Sequence, residues 1–226
     1  MAQYNIIAEN ENYTIVSDYQ SAYRTSEKYQ TEAQLEQELI KNLTEQGYEY
    51  LAIHTEKDLV DNLRVQLQRL NDYTFTDSEW KRFFNDVIAN QNEGIEAKTA
   101  KIQEDHIQVL KRDTGETKNI YLIDKRNIHN NYLQVINQYE EEQGNHDARY
   151  DVSILVNGLP LVHIELKRRG VQLKEAFNQI DRYQRDSFWA GCGLYEYVQI
   201  FVISNGTNTK YYSNSTRFNH IKEQER

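Results

Sequence analysis

Apolar residues fall at helical spacing through the first half of the chain and alternate through much of the second. Thr31 opens the first strong helix. Gln34 stands three residues later, which makes a capping box: the Thr side chain and the Gln side chain each take up a backbone N–H of the first turn. Leu35, Leu39 and Leu43 then form one apolar ridge, and Gly47 ends it. A more polar helical stretch follows from Lys57 to Leu70. Asp77 or Ser78 is placed to cap another helix, with Trp80, Phe83, Phe84, Val87 and Ile88 as its buried face. Before all of these, Tyr13 to Ser17 has the pattern of a short strand.

The period changes from helix to strand near residue 105. Ile107 to Leu110 and Asn119 to Ile123 flank Asp113-Thr114-Gly115-Glu116, which predicts a hairpin. Tyr132 to Tyr139 fits either period; its centrally placed β-branched residues favour a strand. Tyr150 to Val156 and Leu161 to Lys167 read as strands around Asn157-Gly158. Gln172 to Asp186 reads as a helix with Leu173, Ala176, Phe177, Ile180 and Tyr183 on one side. Tyr197 to Ser204 predicts a buried strand and Thr209 to Ser213 a last one.

With 226 residues the chain has room for one domain, or for one core with a sizeable insertion. No internal repeat and no Pro- or Ser-rich linker marks a boundary, and Pro160 is the single proline. No apolar run reaches the roughly 18 residues that a membrane span needs. Met1-Ala2-Gln3-Tyr4-Asn5 carries no secretory pattern. Cys192 is the only cysteine, so an internal disulfide and a cysteine-based zinc site are excluded and a reducing cytosol is expected. The net charge of −9 argues against strong DNA binding by this chain alone, because phosphate neutralisation supplies most non-specific affinity. Locally the balance reverses. Between Lys167 and Asp186, Lys167, Arg168, Arg169, Lys174, Arg182 and Arg185 outnumber Glu175, Asp181 and Asp186, while Glu140-Glu141-Glu142 reads as an exposed acidic loop.

The chemistry lies between residues 150 and 167. Asp151 begins one strand and Glu165-Leu166-Lys167 ends its hairpin partner. Glu165 and Lys167 are two apart and therefore share a face, with Leu166, Ile164 and Val162 on the other. Whether Asp151 shares that face depends on the turn. A two-residue Asn157-Gly158 loop with a regular ladder pairs Val156 with Leu159, sets Asp151 opposite Ile164 and turns it away from Glu165. A three-residue loop of Val156, Asn157 and Gly158 pairs Leu155 with Leu159 and sets Asp151 opposite His163, beside Glu165 and Lys167. A site built on all three residues therefore predicts the bulged, three-residue turn.

Asp-x13-Glu-x-Lys on consecutive strands resembles the PD-(D/E)xK nuclease superfamily, with Tyr150 where a Pro is conventional. Gln179-Ile180-Asp181-Arg182-Tyr183 matches the Gln-x-x-x-Tyr motif of its RecB-type members, and that four-residue spacing puts Gln179 and Tyr183 on one helical face. More specifically, Arg149 through Phe188, then Ile200 to Thr207, closely resembles the R subunit of type I restriction–modification enzymes. The match extends back through Tyr121 to Lys125 and the Thr31 to Tyr48 helix.

That resemblance implies an α/β (mixed α+β) fold with a PD-(D/E)xK nuclease core: a central mixed sheet flanked by helices, in the order αβββαβ, with a helical insertion after the first helix. The core would comprise residues 31–47 and 131–213 and the insertion about 48–130, in a single endonuclease domain over 1–226. It implies Mg²⁺-dependent hydrolysis of DNA phosphodiester bonds. Asp151 and Glu165 would bind the metal, with the Leu166 carbonyl as a further oxygen ligand, and Lys167 would assist the attacking water or the transition state. A first-helix acid often assists in this superfamily; helical plotting selects Glu32, with Glu36 near the same stripe and Glu38 at its margin. Gln179, Tyr183 and Arg182 would support the site or contact DNA, and Arg168 and Arg169 would meet phosphates. The expected partners are double-stranded DNA, the methylase and specificity subunits, and the remainder of the chain's own R subunit, with no membrane.

No Gly-x4-Gly-Lys-Ser/Thr loop occurs, so ATP is expected only for a translocase region absent from this sequence. The chain reads as a fragment, expected to cut little or not at all alone. Blander readings stand beside these. Glu165 and Lys167 could be a solvated, salt-bridged strand end, and Gln179 and Tyr183 ordinary packing. His163 is read as a structural neighbour. His54, His106, His129, His146 and His220 lack metal-ligand spacing. Two further readings are a non-catalytic docking module of the same complex that retains the nuclease fold, and a stand-alone RecB-type nuclease, against which the acidic charge speaks.

Overall fold

The computed structural model describes residues 5–9, 14–17, 30–141, 148–188 and 190–214. Tyr13, Glu142, His146 and His220, and the side chains of Arg185 and Asp186, fall outside it. The architecture is mixed α/β, a mixed sheet flanked by helices. Strands β1 (Asn5–Glu9) and β2 (Thr14–Ser17) pair as a separate antiparallel ribbon. Helix α1 (Glu32–Glu45) begins as the sequence requires, with Thr31 as N-cap and the reciprocal capping box to Gln34 in place. Gly47 follows it at a φ of 95°.

The two-residue strand β3 (Glu49–Tyr50) comes next, then helices α2 (Glu56–Asn71), α3 (Asp77–Phe83) and α4 (Ile95–Gln103). The α3 cap corrects the sequence expectation. Thr76, not Asp77 or Ser78, is the N-cap, because it alone has Glu79 three residues on to close a capping box. One π-helical turn, Phe84–Ile88, extends α3 and completes the buried face of Trp80, Phe83 and Ile88. Helix α4 has no counterpart in the sequence reading. Its start at Gly94 has no side-chain cap, and two of its three buried positions are lysines, Lys98 and Lys101. Lys98 is held by Glu196 at 2.6 Å and by the Gly193 carbonyl at 3.1 Å. A buried, paired ammonium of this kind is invisible to a search for apolar periodicity.

Strands β4 (Ile107–Lys111) and β5 (Thr117–Tyr121) form the expected hairpin as their own two-stranded sheet. The main sheet adds β6 (Leu133–Glu141), β7 (Ala148–Val156), β8 (Leu159–Leu166), β9 (Ile200–Ser204) and β10 (Thr209–Ser213), in the spatial order β10-β9-β8-β7-β6-β3. Pairing is parallel between β8 and β9 and between β6 and β3, and antiparallel elsewhere. Helix α5 (Leu173–Asp186) connects β8 to β9. The β9 strand is shorter than expected: Leu194–Tyr197 make a 3-10 turn, and strand geometry starts at Ile200.

Each face of the sheet has its own core. On one, Leu35 of α1, with Leu39, Ile40 and Leu43, packs on Val135, Val152, Ile164 and Leu166. On the other, Ala176, Ile180 and Tyr183 of α5 and Leu59, Leu63 and Leu67 of α2 share a larger core with Ile136, Tyr150, Leu161, Phe201 and Ile203. Period-2 alternation along β9 divides its residues accordingly, Val202 to the first core and Phe201 and Ile203 to the second. Among the described residues no helix is long and apolar enough to cross a membrane.

Candidate active site

The β7–β8 hairpin decides which side chains meet. Val156 pairs with Leu159 across a two-residue turn, Asn157-Gly158, with φ of 52° and 85°. Two consecutive left-handed residues make the type I′ turn that Asn-Gly favours. The three-residue loop expected from the sequence is therefore not what forms. Asn157 is locked in by its own side chain, which accepts from the Tyr132 N–H and donates to the Leu122 carbonyl and to Asn131. Gly158 lies so close to α2 that a Cβ there would stand 2.6 Å from the Leu63 Cα.

A regular ladder from this turn would direct Asp151 away from Glu165. The ladder is not regular. Leu155 pairs with Pro160, but Ile154 pairs with Val162, so Leu161 is an extra residue on β8. That β-bulge shifts the register by one and restores the shared face. Ser153 then opposes His163 and Val152 opposes Ile164, the last registered pair, so the displaced phase leads toward Glu165 rather than His163, while Asp151 itself bonds the Leu166 N–H instead of pairing. One extra residue is needed, as the sequence predicts, but it lies in the strand instead of the turn.

At this end of the sheet, Asp151 Oδ2 accepts the Leu166 N–H at 2.8 Å. The Lys167 N–H donates to the Ser204 carbonyl at 2.8 Å, which extends the β8–β9 pairing and fixes Lys167 at the strand end. Its Nζ donates to Glu165 Oε1 at 2.9 Å and to the Leu166 carbonyl at 3.1 Å. The Glu165 side chain is fully buried and its Oε2 has no hydrogen-bond partner within the protein; His163 Nε2, also buried, lies 3.5 Å away. Burial first, and then the Glu165 carboxylate, push the Asp151 carboxyl up to about 7, against the opposing pull of the Leu166 N–H and Lys167.

The sign of that shift makes a prediction. The fold favours the protonated Asp151 carboxyl, so ionising it opposes folding as pH rises from its ordinary 3.8 to about 7. Asp151→Asn removes the ionisation and keeps an oxygen for the Leu166 N–H. Without divalent metal, the variant is expected to be more stable than wild type at pH 8 by a few kcal/mol, with the advantage gone by about pH 4. Urea unfolding in a chelator at both pH values checks this, and an equal difference at the two would contradict it.

The surrounding helices reach the same place. Gln179 Nε2 donates to the Tyr183 hydroxyl, which donates to the Arg149 carbonyl at 2.9 Å, two residues before Asp151. Burial, and then the nearby Glu165 carboxylate, raise the Tyr183 hydroxyl to about 12. Arg182 is exposed, its guanidinium 5.9 Å from the Tyr183 ring centroid. From α1, Glu32 Oε1 accepts the Arg168 N–H at 3.1 Å, next to Lys167. Glu36 takes the side-chain amides of Asn137 and Gln138, and Glu38 accepts from Gln30. Arg168 is exposed and Arg169 donates to the Gly206 carbonyl at 3.4 Å.

The structure thus brings Asp151, Glu165 and Lys167 together, backs them with Tyr183 and Gln179, and puts Glu32 on the adjacent backbone. Among the described residues no three His, Cys, Asp or Glu side chains converge into a metal-binding group. Gln138, opposite Asp151 on β6, escapes the sequence reading. It occupies the left-handed region at φ 53°, and nothing about a glutamine announces that.

Comparison with known proteins gives consistent matches. Residues 29–220 match the family described as Type I restriction enzyme R protein N terminus. The chain is 48% identical over 212 residues to the Type I restriction enzyme EcoprrI endonuclease subunit of Escherichia coli, covering 93% of this chain and 67% of that protein. It is 41% identical over 192 residues to the SsaAORF53P endonuclease subunit of Staphylococcus saprophyticus, covering 83% of this chain. With the HindI endonuclease subunit of Haemophilus influenzae it shares 30% identity over 215 residues. The chain spans about two thirds of the Escherichia coli protein but 20% of the staphylococcal one and 19% of the Haemophilus one.

Proposed function

The chain belongs to the family of type I restriction enzyme R protein N termini, and from that premise we propose that it is the DNA-cutting domain of such an enzyme, a PD-(D/E)xK nuclease that hydrolyses phosphodiester bonds with Mg²⁺. The observation that carries this is the bulge at Leu161, whose displaced register brings Asp151 beside Glu165, with Lys167 on the same carboxylate. A purely structural ladder has no need of an irregularity that brings two acids together in a buried place. The succession α1, β6, β7, β8, α5, β9 supports the nuclease topology.

The donor set fits a hard divalent cation. Glu165 Oε2 is buried without a hydrogen bond from the protein, the Asp151 carboxyl is held toward its protonated form by burial first and then by the Glu165 carboxylate, and the Leu166 carbonyl lies at the same strand end. Mg²⁺ takes oxygen ligands and leaves part of its shell to water and phosphate, so two carboxylates and a carbonyl suffice. Glu32 would join them in the loaded site. When bound, the cation would supply Lewis-acid polarisation of the scissile phosphate. The remaining chemistry is the chain's own. Lys167 has three N–H groups, two committed to Glu165 and Leu166. The third can hold the attacking water or a non-bridging phosphate oxygen. Gln179 and Tyr183 keep the Arg149 backbone, and so the start of β7, in place.

A chain of net charge −9 holds DNA weakly by itself. The motor portion of the R subunit, with methylase and specificity subunits, would deliver the duplex, and ATP would serve the motor alone. Asp151→Ala in the full-length subunit, assembled with its partners, tests the proposal. DNA cleavage should disappear while ATP-driven translocation and assembly persist. Cleavage that survives the substitution would overturn the nuclease assignment and leave a docking role.

A further inference from the structure

Two successive side chains of one strand reach the same carboxylate. Asn137 and Gln138 both donate to Glu36 of α1, although neighbours on a regular strand point to opposite faces. The backbone resolves the contradiction. Gln138 sits at a φ of 53°, in the left-handed region that a residue of this type rarely enters. Several contacts hold it there. The Gln138 carbonyl lies 3.2 Å from His54 Nδ1, the Glu140 N–H donates to the His54 carbonyl at 3.0 Å, and the Tyr50 hydroxyl donates to Asn137 at 2.9 Å. Past it, Tyr139 stacks on Tyr150 with ring centroids 5.8 Å apart. A strained residue over-determined by its surroundings is a recurrent sign of a functional constraint.

The constraint has a visible address. The β6–β7 register runs from the Leu133–Val156 pair to the Glu141–Ala148 pair and omits one step, Gln138 with Asp151. On the other flank the β7–β8 register ends at Val152–Ile164, one step before Asp151. Asp151 therefore has no registered partner on either side, and its carboxylate takes the Leu166 N–H instead. We infer that Gln138 is a positioning residue for Asp151: its left-handed backbone breaks the sheet at the one step where the Asp151 carboxylate must turn toward Leu166 and Glu165. This rests on the nuclease reading above, and it assigns the role to the backbone conformation at 138, with the Glu36 bond as its latch.

The test compares residues by their tolerance of positive φ. Gln138→Gly admits the conformation without strain, whereas Gln138→Val, β-branched, drives the position back to regular strand geometry. The first readout needs no metal and no activity: amide hydrogen exchange at Leu166 in this chain, with Val135 and Ile203 as core references. Gln138→Val should speed exchange at Leu166 beyond any change at the references, and Gln138→Gly should leave it protected. The second readout is the assembled enzyme, in which Gln138→Val should lower the cleavage kcat roughly 10- to 100-fold with translocation unchanged, and Gln138→Gly should cut close to wild type. If the Val variant does not fold, Gln138→Ala takes its place, with the same order relative to Gly. Wild-type protection and cleavage in Gln138→Val, or equal losses in Val and Gly, would overturn the inference. An Asp151→Ala control separates the two readings: normal cutting by that variant sinks the nuclease assignment, while the Leu166 exchange pattern still judges Gln138.

Discussion

Lys167→Ala in the assembled enzyme is expected to slow DNA cleavage by roughly 10²- to 10³-fold, the usual effect of removing one preorganised donor from a developing anion. The geometry gives the reason. Lys167 Nζ is anchored by Glu165 Oε1 and the Leu166 carbonyl, so its position is set before any substrate arrives. Removing it also leaves the buried Glu165 carboxylate without its ammonium partner, which costs further stabilisation at the same spot. Lys167→Arg should restore little, because a planar guanidinium cannot occupy the compact position between those two oxygens. Single-turnover cleavage, with translocation followed in parallel, distinguishes this from failed assembly. A Lys167→Ala enzyme that cuts at the wild-type rate would exclude Lys167 from the chemistry.

Gly158→Ala is expected to be the most damaging small substitution for the fold, destabilising it by about 4 kcal/mol, as a left-handed-backbone penalty adds to an overpacking penalty. Gly158 has a φ of 85°, and the added Cβ would meet backbone atoms of α2, Leu63 Cα at 2.6 Å and Leu63 N at 3.1 Å, which cannot swing aside as a side chain could. Domains of this kind hold only about 5–15 kcal/mol in total, so one methyl group would remove a large share. Urea unfolding of the purified variant measures it. A loss under about 1 kcal/mol would mean that α2 can withdraw from the turn, contrary to the overpacking argument.

What could be read from the sequence follows from where the information sits. The α1 capping box is written in two residue identities, Thr31 and Gln34, and forms as expected. The β7–β8 strands and the Glu165–Lys167 face are written in alternation, and both appear. The bulge at Leu161 is written in neither. Leu161 is apolar between Pro160 and Val162, and any of several residues could have been the extra one. Its selection reflects tertiary fit: the Asn157 hydrogen bonds and the α2 backbone hold the turn tight, so the extra residue goes into the strand. The same holds for Gln138, whose conformation is imposed by Glu36 and His54 from distant segments. Helix α4 is missed for a third reason, since its buried face includes two paired lysines.

The extra residue at Leu161 also gives this strand something like a reading frame. On the turn side of it, Leu159 and Pro160 follow the phase of the Asn-Gly corner; on the far side, His163, Glu165 and Lys167 follow a phase displaced by one. A one-residue deletion there would leave every functional side chain in the chain yet exchange the sides on which Ile164 and Glu165 project. Strand β8 would then turn Glu165 toward the α1 core and Ile164 and Leu166 toward the α5 side. A single insertion or deletion in this short stretch is thus expected to undo the site unless a second one compensates it, whichever letters β8 carries.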